Sequence, residues 1–570
     1  MVPLILATDD YEHFRVCTEE GSVVREFDGA SAAARAFPGD EVRLVDDGGI
    51  ELAAHSGGMH GRRYATVELV RRAAAKLFLV GTLELNSKSR YGITSRGVLR
   101  YKFLPYDAAY PPFFVGCSSK DTTRNMLVRI QFDDWPASST CPIGVLVQTF
   151  GPAGDLPAEE DALLAHYGAV RWRREDVPVL AGGLPPLTPS SVGYVDSTDL
   201  CTFHVDPPRC RDIDDAISFK PMEGSNCILV KIHIADVASW LNAYPVLAGP
   251  AAAAGQTLYR NGFAVRPMFP AALSEGAMSL LPGELRRAWT LNFLWSGAER
   301  QGAPWWTHDE IRVKESYTYE SVLGSPHADL LGDIASSLAG RALTDPHEWI
   351  EHMMLFYNRS AAEELKRHGV GVLRRHAAPD VERLEAIRGF GLPVSVGDRL
   401  AMRAGEYCLA SEEDTVHWGL GAAVYCHASS PIRRWADCVN QAALAAVLHN
   451  SLDAEPTPFQ VVASLNAAAR RAKRYERDLC YVQTLLGPAA GKALAGTVVE
   501  PGRQSRDGMA LAEAGRIWVP YLDRLVRADT GDHQAGEGVR VRFFADAGKR
   551  NWKGRLVVRV EGGGGTGVPA

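Results

Sequence analysis

The chain has 570 residues, 46% hydrophobic and 23% charged, which is ordinary globular usage and excludes long disorder, collagen-like repeats and coiled-coil arrays as descriptions of the whole. Roughly four domains would suit that length. The net charge of −7, from 61 basic and 68 acidic residues, gives no global pull on a polyanion, so a nucleic acid would have to meet a local patch.

No run reaches membrane-spanning length and the opening MVPLILATDDYEHF lacks a signal-peptide pattern; the expectation is an intracellular protein with no membrane association. Ten cysteines occur without a C-x-x-C pair, which argues against structural zinc and against a disulfide framework.

In chain order, residues 10–55 read as short strands broken at Pro38-Gly39-Asp40, a small β module. A helix-prone stretch from Val67 to Lys76 leads into FLVGTLEL, YGITSRGVLRYKFLP, NMLVRIQFDDW and IGVLVQTFG, whose spacing predicts a five-stranded barrel or sandwich, OB-like among the candidates. DLPAEEDALLAHYG predicts a short acidic helix, and Pro/Gly-rich residues 175–193 a domain boundary. Strands follow at Thr202–Asp206, Asp215–Phe219 and Ile228–Asp236.

Thr344-Asp345-Pro346 supplies a cap and first-turn proline for a helix that turns Ile350, Met353, Met354, Tyr357, Ala361 and Leu365 inward and ends at Gly369. A second long helix runs to Gly487-Pro488. The last 80 or so residues return to strands, predicting a second OB-like barrel. Residues 491–560 carry 13 Lys/Arg against 8 Asp/Glu, a local excess that fits either a polyanion surface or a solvated basic face.

The densest chemistry lies in FHVDPPRCRDIDDAISF, which crowds Asp206, Asp212, Asp214 and Asp215 between two strands. Two like charges about 4 Å apart cost about 4 kcal/mol at an effective dielectric near 20, so the quartet needs full solvation or a cation. Oxygen-only donors select hard ions such as Mg²⁺, which points to phosphoryl chemistry. A solvated acidic loop fits the spacing alone as well; an EF-hand does not, lacking its turn glycine and distal Glu.

In YCHASSPIRRWADCVNQAALAAVL, Ser430 reads as an N-cap, Pro431 as the first helical residue, and Ile432, Trp435, Val439 and Ala443 as the buried stripe. Arg433 and Arg434 then fall in the first turn, where cations oppose the helix dipole unless an anion lies between them and the free N–H groups. A phosphate is one such anion, an internal carboxylate such as Glu476 another.

Taken in order, DPPRCRDIDDAIS, HIADVASW, RPMFPAALSEGAMSLL, IEHMMLFYNRSAAEEL with LRRHAAPD, HWGL before YCHASSPIRRWAD, and YERD resemble the ribonuclease II and ribonuclease R (RNB) family of exoribonucleases, including exosome-associated eukaryotic relatives. The resemblance implies an α+β multidomain fold: two N-terminal OB-like cold-shock barrels (1–65 and 66–175), a central mixed α/β RNB catalytic domain (190–490) and a C-terminal S1-type OB barrel (491–562). It implies hydrolysis of single-stranded RNA from the 3′ end to nucleoside 5′-monophosphates with Mg²⁺ at a two-metal site, Mn²⁺ being an alternative.

By the same resemblance, Asp206, Asp212, Asp214 and Asp215 are metal ligands and Asp214 and Arg433 are catalytic. Tyr259, Arg434 and Glu476 contact RNA, and the partners are single-stranded RNA and an RNA-decay complex around a monomeric catalytic unit. Tyr101, Phe103, Trp518 and Phe543 are candidate stacking aromatics on the β modules; His233 and His427 read as structural. The competing functions are an inactive RNB-fold scaffold that binds RNA and a small-nucleotide phosphohydrolase.

Overall fold

The computed structural model describes residues 3–18, 22–31, 33–45, 66–73, 76–168, 172, 194–297, 299–390, 392, 394–448, 457–504, 511–546, 548–561 and 568–569. The expected boundary at 175–193 lies outside them. The chain divides into two compact units, Met1–Tyr167 with Arg474–Ala570, and Gly168–Lys473.

Among the described residues the first unit holds three large β assemblies and a two-stranded ribbon of Arg503–Gln504 with Leu511–Glu513. A five-stranded antiparallel sheet is ordered Val23–Asp28, His13–Thr18, Leu4–Thr8, Glu41–Val45, Thr66–Arg71. That last strand falls where the sequence suggested a helix. TVELVR alternates, burying Val67 and packing Leu69 on the core while Glu68 pairs with Arg43 and Arg71 with Glu41 across the ladder, so a cross-strand partner overrides local propensity.

The strands Phe78–Leu83, Arg100–Pro105, Phe113–Gly116, Met126–Asp134 and Ile143–Pro152 close into the expected five-stranded barrel, followed by the expected helix Leu156–Tyr167. The C-terminal strands form a six-stranded sheet ordered 524–528, 515–519, 493–500, 538–545, 556–560, 568–569.

Tyr101, Phe103, Trp518 and Phe543 are core side chains, each under a tenth exposed. Alternation decides this: in Arg100–Pro105 the odd positions point inward and Arg100, Lys102 and Leu104 outward. Phe78, Tyr521 and Phe544 are the exposed aromatics of these modules, with Arg129 over Phe78 and Arg559 over Phe544. The C-terminal basic excess is partly neutralised by carboxylates outside 491–560, since Arg540 and Arg542 both pair with Glu561 and Arg555 faces Glu159.

The second unit is built on a mixed sheet. Thr202–Val205, Asp215–Pro221, Ile228–Ala235 and Leu285–Trp295 pair antiparallel in succession. The long strand Arg300–Tyr317 pairs antiparallel with Leu285–Trp295 at its start and parallel with Thr202–Val205 at its end, closing the five strands on themselves. One core packs Ile217, Ile232, Leu291 and Phe293 under the helices Ala328–Ala339 and Pro346–His368; a second gathers Ile213, Val237, Phe269, Leu280 and Ile432.

Pro346–His368 forms as read, because its ends are locally encoded. Asp345 accepts the His347 N–H, Pro346 opens the first turn, and Gly369 takes the left-handed conformation with φ 68°. Ile350, Met353, Tyr357, Ala361 and Leu365 are buried. Leu365 is fully buried, so Leu365→Ala should lower unfolding stability by about 2–5 kcal/mol, seen as an earlier denaturant midpoint. The other long helix is Phe459–Leu486. Among the described residues no helix is long and apolar enough to cross a membrane.

Candidate active site

The strand Thr202–Val205 delivers Asp206 to the sheet edge, and the strand Asp215–Pro221 begins with Asp215 itself. Between them the loop is pinned at its middle. Ile213 is buried, its N–H donates to Ser279 Oγ at 3.0 Å, its carbonyl accepts from Leu280, and Ser279 Oγ donates to the Arg211 carbonyl. Arg209 takes a positive φ of 71°, a bend that turns the chain back after Pro207-Pro208. Asp212 and Asp214 thus flank an anchored residue on a fixed backbone.

All four aspartates line one cavity of 420 Å³ with Tyr259, Tyr319 and Arg433. Asp214 is 3% exposed, and its two oxygens accept the Ile432 N–H at 2.9 Å and Arg433 Nε at 3.0 Å. Asp212 accepts the Tyr259 hydroxyl at 3.0 Å, and Asp206 shares a 2.8 Å hydrogen bond with His204 Nδ1.

Burial pushes the Asp214 carboxyl up to about 7 against the pull of Arg433. Burial and then the carboxylates of Asp206 and Asp214 push Asp215 well above its ordinary value. The cavity thus sets five carboxylates, Asp206, Asp212, Asp214, Asp215 and Glu275, against Arg209, Arg211 and Arg433, and beside the Cys210 thiol its donors are mostly carboxylate oxygens, a set that suits a hard divalent cation. No three of the carboxylates hold oxygens within 4.8 Å of one another, so an ion there would draw side chains inward from the cavity wall.

The arginine segment differs from its sequence reading. The helix begins at Trp435, not Pro431, and runs to Leu448. Residues 430–434 are instead a turn whose backbone is used by a neighbouring segment: Thr257 N–H donates to the Arg433 carbonyl, Gln256 bridges Arg434, and Trp435 N–H donates to the Gly255 carbonyl. The same pairing sets Tyr259 two residues further on.

Arg433 lies ahead of the helix with 44% of its side chain exposed, and its Nη2 donates to Ser430 Oγ at 2.9 Å. An internal carboxylate, that of Asp214, meets Arg433 Nε and the Ile432 N–H, where the sequence reading offered a phosphate or a carboxylate such as Glu476. Of the predicted inward stripe, Ile432 is buried but Trp435, Val439 and Ala443 are half-buried; Ala436, Cys438 and Leu444 face the core.

One predicted RNA contact, Arg434, is not brought to the cavity. Arg434 makes two 2.9 Å hydrogen bonds to Asp437 and does not line it. Glu476 is exposed, in the stretch of the long helix that belongs to the first unit.

The residues that lock this site were missed. Asp437 accepts from both Ser430 N–H and Arg434. Gln441 accepts the Val237 and Ala238 N–H groups and donates to the Ala235 carbonyl. Asn358 binds the backbone at Ala428 and the hydroxyl of Ser429. Polar residues inside an otherwise apolar helical face were the available signal, since burial demands partners for them.

Both histidines read as structural are so placed. His427 Nδ1 meets the Tyr407 hydroxyl at 2.8 Å, and desolvation holds its imidazole well below the usual range. His233 lies between Ser218 and Thr290 hydroxyls, and burial pushes it down to about 3. The folded protein keeps it neutral while the unfolded chain takes up a proton below the ordinary value of 6.5. Stability is lost as pH falls, by about 2 kcal/mol between about pH 6.5 and 5. His233→Gln should remove that contribution, checked by denaturant titration at both pH values.

The second unit thus combines a mixed closed sheet with an aspartate-lined cavity beside an arginine-bearing turn. The RNB domain profile matches residues 194–325 and 395–450, and that of the Dis3-like cold-shock domain 2 matches 100–168. The chain therefore carries an RNB domain and a Dis3-like cold-shock domain over those residues.

It is similar to the human exosome complex exonuclease RRP44, 26% identical over 468 residues covering 65% of this chain and 47% of the relative. It spans about half the length of the first curated relatives it matches. The fold is shared with Mycoplasma genitalium RNase R, solved with ribose-methylated single-stranded RNA (TM-score 0.66, 16% identity, covering 100% and 96% of the two chains). It is also shared with yeast Ssd1, described as a pseudonuclease (TM-score 0.59, 15% identity, 93% and 80%).

Proposed function

We propose that this chain is a hydrolytic 3′-to-5′ exoribonuclease that shortens single-stranded RNA processively to nucleoside 5′-monophosphates. The observation that carries this reading is the convergence of Asp206, Asp212, Asp214, Asp215 and Arg433 on one cavity. RNB nucleases depend on divalent metal, and a lining in which carboxylate oxygens outnumber the arginines suits Mg²⁺, with Mn²⁺ as an alternative. Held by Asp206 and Asp215 with Asp212 and Asp214 beside them, one or two such ions would supply Lewis acidity and an activated water.

The protein's own groups do the rest. Arg433, half-exposed to the cavity, neutralises charge gathering on the scissile phosphate. Asp214, locked to Ile432 N–H and Arg433, fixes the guanidinium and contributes the charge that turnover needs. Tyr259 holds Asp212 through its hydroxyl and offers its ring to the terminal nucleotide. Tyr319 is a further ring on the cavity wall.

The closed barrel and the C-terminal sheet, taken as a cold-shock and an S1-type domain, bind single strands through exposed Phe78, Tyr521 and Phe544 and the arginines near them. The protein acts inside the cell as a monomeric catalytic unit in an RNA-decay complex, away from membranes.

RNA carrying label in its last phosphodiester, incubated with Mg²⁺, should release the label as nucleoside 5′-monophosphate, while a circularised form of the same RNA stays intact. Cleavage of the circle would overturn the exonuclease reading. Binding without release of label from the linear RNA would favour the inactive scaffold that the likeness to Ssd1 keeps in view.

A further inference from the structure

We propose that Cys201, Glu315 and His327 form a second metal site, for a zinc-type divalent ion, in which their three ligand atoms converge from separate elements on a point outside the aspartate cavity. Cys201 directly precedes the strand Thr202–Val205, Glu315 lies on the strand Arg300–Tyr317, and His327 stands immediately before the helix Ala328–Ala339. None of the three lines the aspartate cavity.

The Cys201 thiol, a Glu315 carboxylate oxygen and the His327 ring nitrogen all lie within 4.8 Å of one another. His327 Nε2 is 3.8 Å from Cys201 Sγ and 2.9 Å from Glu315 Oε2. In a tetrahedral zinc site, with Zn–S about 2.3 Å and Zn–N or Zn–O about 2.0–2.1 Å, the sulfur-to-nitrogen edge is about 3.6 Å and the nitrogen-to-oxygen edge about 3.3 Å. The first edge is already near its ligated length. The second opens by a few tenths of an ångström when an ion replaces the hydrogen bond.

The donor types select the metal. One thiolate, one imidazole and one carboxylate suit Zn²⁺, whereas Mg²⁺ takes oxygen ligands. On binding, the thiol proton leaves to solvent, and the neutral imidazole carries its proton on Nδ1, freeing Nε2 to ligate. Sulfur, nitrogen and oxygen each form one bond to the ion, with water in the fourth position.

The ligands are also held from behind. The His327 ring stacks on Phe203 at 4.3 Å with an interplanar angle of 4°, and meets Tyr317 edge-on. The Tyr317 hydroxyl donates to Glu315 Oε2 at 2.7 Å. Such support fixes ring and carboxylate orientation before the ion arrives. Glu315 keeps 38% of its side chain exposed and His327 15%, which leaves a route in from solvent. An ion there would staple Arg300–Tyr317 to Thr202–Val205, the strand that carries Asp206 at its end.

The test uses the full chain, stripped with a chelator and held in excess Mg²⁺ so that oxygen-only sites are filled. Titration with Co²⁺ should raise a near-ultraviolet sulfur-to-cobalt charge-transfer band that saturates at one equivalent and is lost on adding one equivalent of Zn²⁺. Cys201→Ser should abolish the band, and His327→Gln should weaken Co²⁺ binding at least tenfold, with tryptophan emission confirming that both variants are folded. If either is not, Glu315→Gln, which keeps the side-chain volume, should shift the band and weaken binding. No band in the wild-type protein at one equivalent, or a full band in Cys201→Ser, would overturn the site.

Discussion

Asp214→Asn should reduce RNA cleavage by at least a thousandfold while leaving RNA affinity within a few-fold of wild type. The substitution keeps the shape of a side chain that is 3% exposed and bonded to Ile432 N–H and Arg433, so the turn and the cavity survive. What it removes is the charge facing the reaction, worth about 4 kcal/mol or more of transition-state stabilisation at that rate loss.

Nor should the variant be a folding mutant. Burial raises the carboxyl from 3.8 to about 7, so in metal-free protein its contribution to stability falls as pH rises through that window. A neutral amide has no such dependence but leaves either Ile432 N–H or Arg433 Nε without an acceptor, and thermal melting in chelator at pH 7 should put the variant close to wild type. Single-turnover cleavage with a parallel filter-binding measurement checks the claim. Unaltered turnover would remove Asp214 from the machinery.

Arg433→Ala should slow cleavage of bound RNA at least tenfold, with kcat falling and KM little changed, because the guanidinium acts on charge that gathers only as the phosphate reacts. Arg433→Lys keeps the charge but loses the planar fork that spans Asp214 Oδ2 and Ser430 Oγ, and should recover only part of the rate. The alanine variant also leaves Asp214 buried without its counter-ion, so its melting temperature should drop where that of Asp214→Asn does not. An effect confined to RNA affinity would move Arg433 from catalysis to binding.

Local chemistry made much of the fold legible. Asp345, Pro346 and Gly369 encode both ends of one helix, and the alternating runs of residues 78–152 encode the barrel. Reading failed where a distant partner decided the outcome. Thr66–Arg71 is a strand because Glu41–Val45 is there to pair with it. The helix at Trp435 starts late because residues 255–257 hold the backbone before it.

Inward and outward faces also depend on what covers them, so Tyr101 and Phe103, plausible as a stacking surface from the sequence, are core. At the site, the aspartate quartet was visible as a cluster, but the Asp214 to Arg433 contact spans 219 positions and has no local signature. The Arg434 to Asp437 pair, three residues apart, did have one, and it accounts for the second arginine lying off the cavity lining. The ligand trio at Cys201, Glu315 and His327 was hidden by the same distance, with the thiol and the imidazole 126 positions apart.

As proposed, the aspartate cavity is a metal-dependent centre that removes nucleotides from an RNA end. A time course on 5′-labelled single-stranded RNA, first in chelator and then with Mg²⁺ restored, tests this most directly. The expected result is full-length RNA in chelator and, on adding Mg²⁺, conversion of each chain to a short 5′-labelled end product with few intermediates between. RNA that stays full length in Mg²⁺ while a gel shift shows it bound would contradict the account.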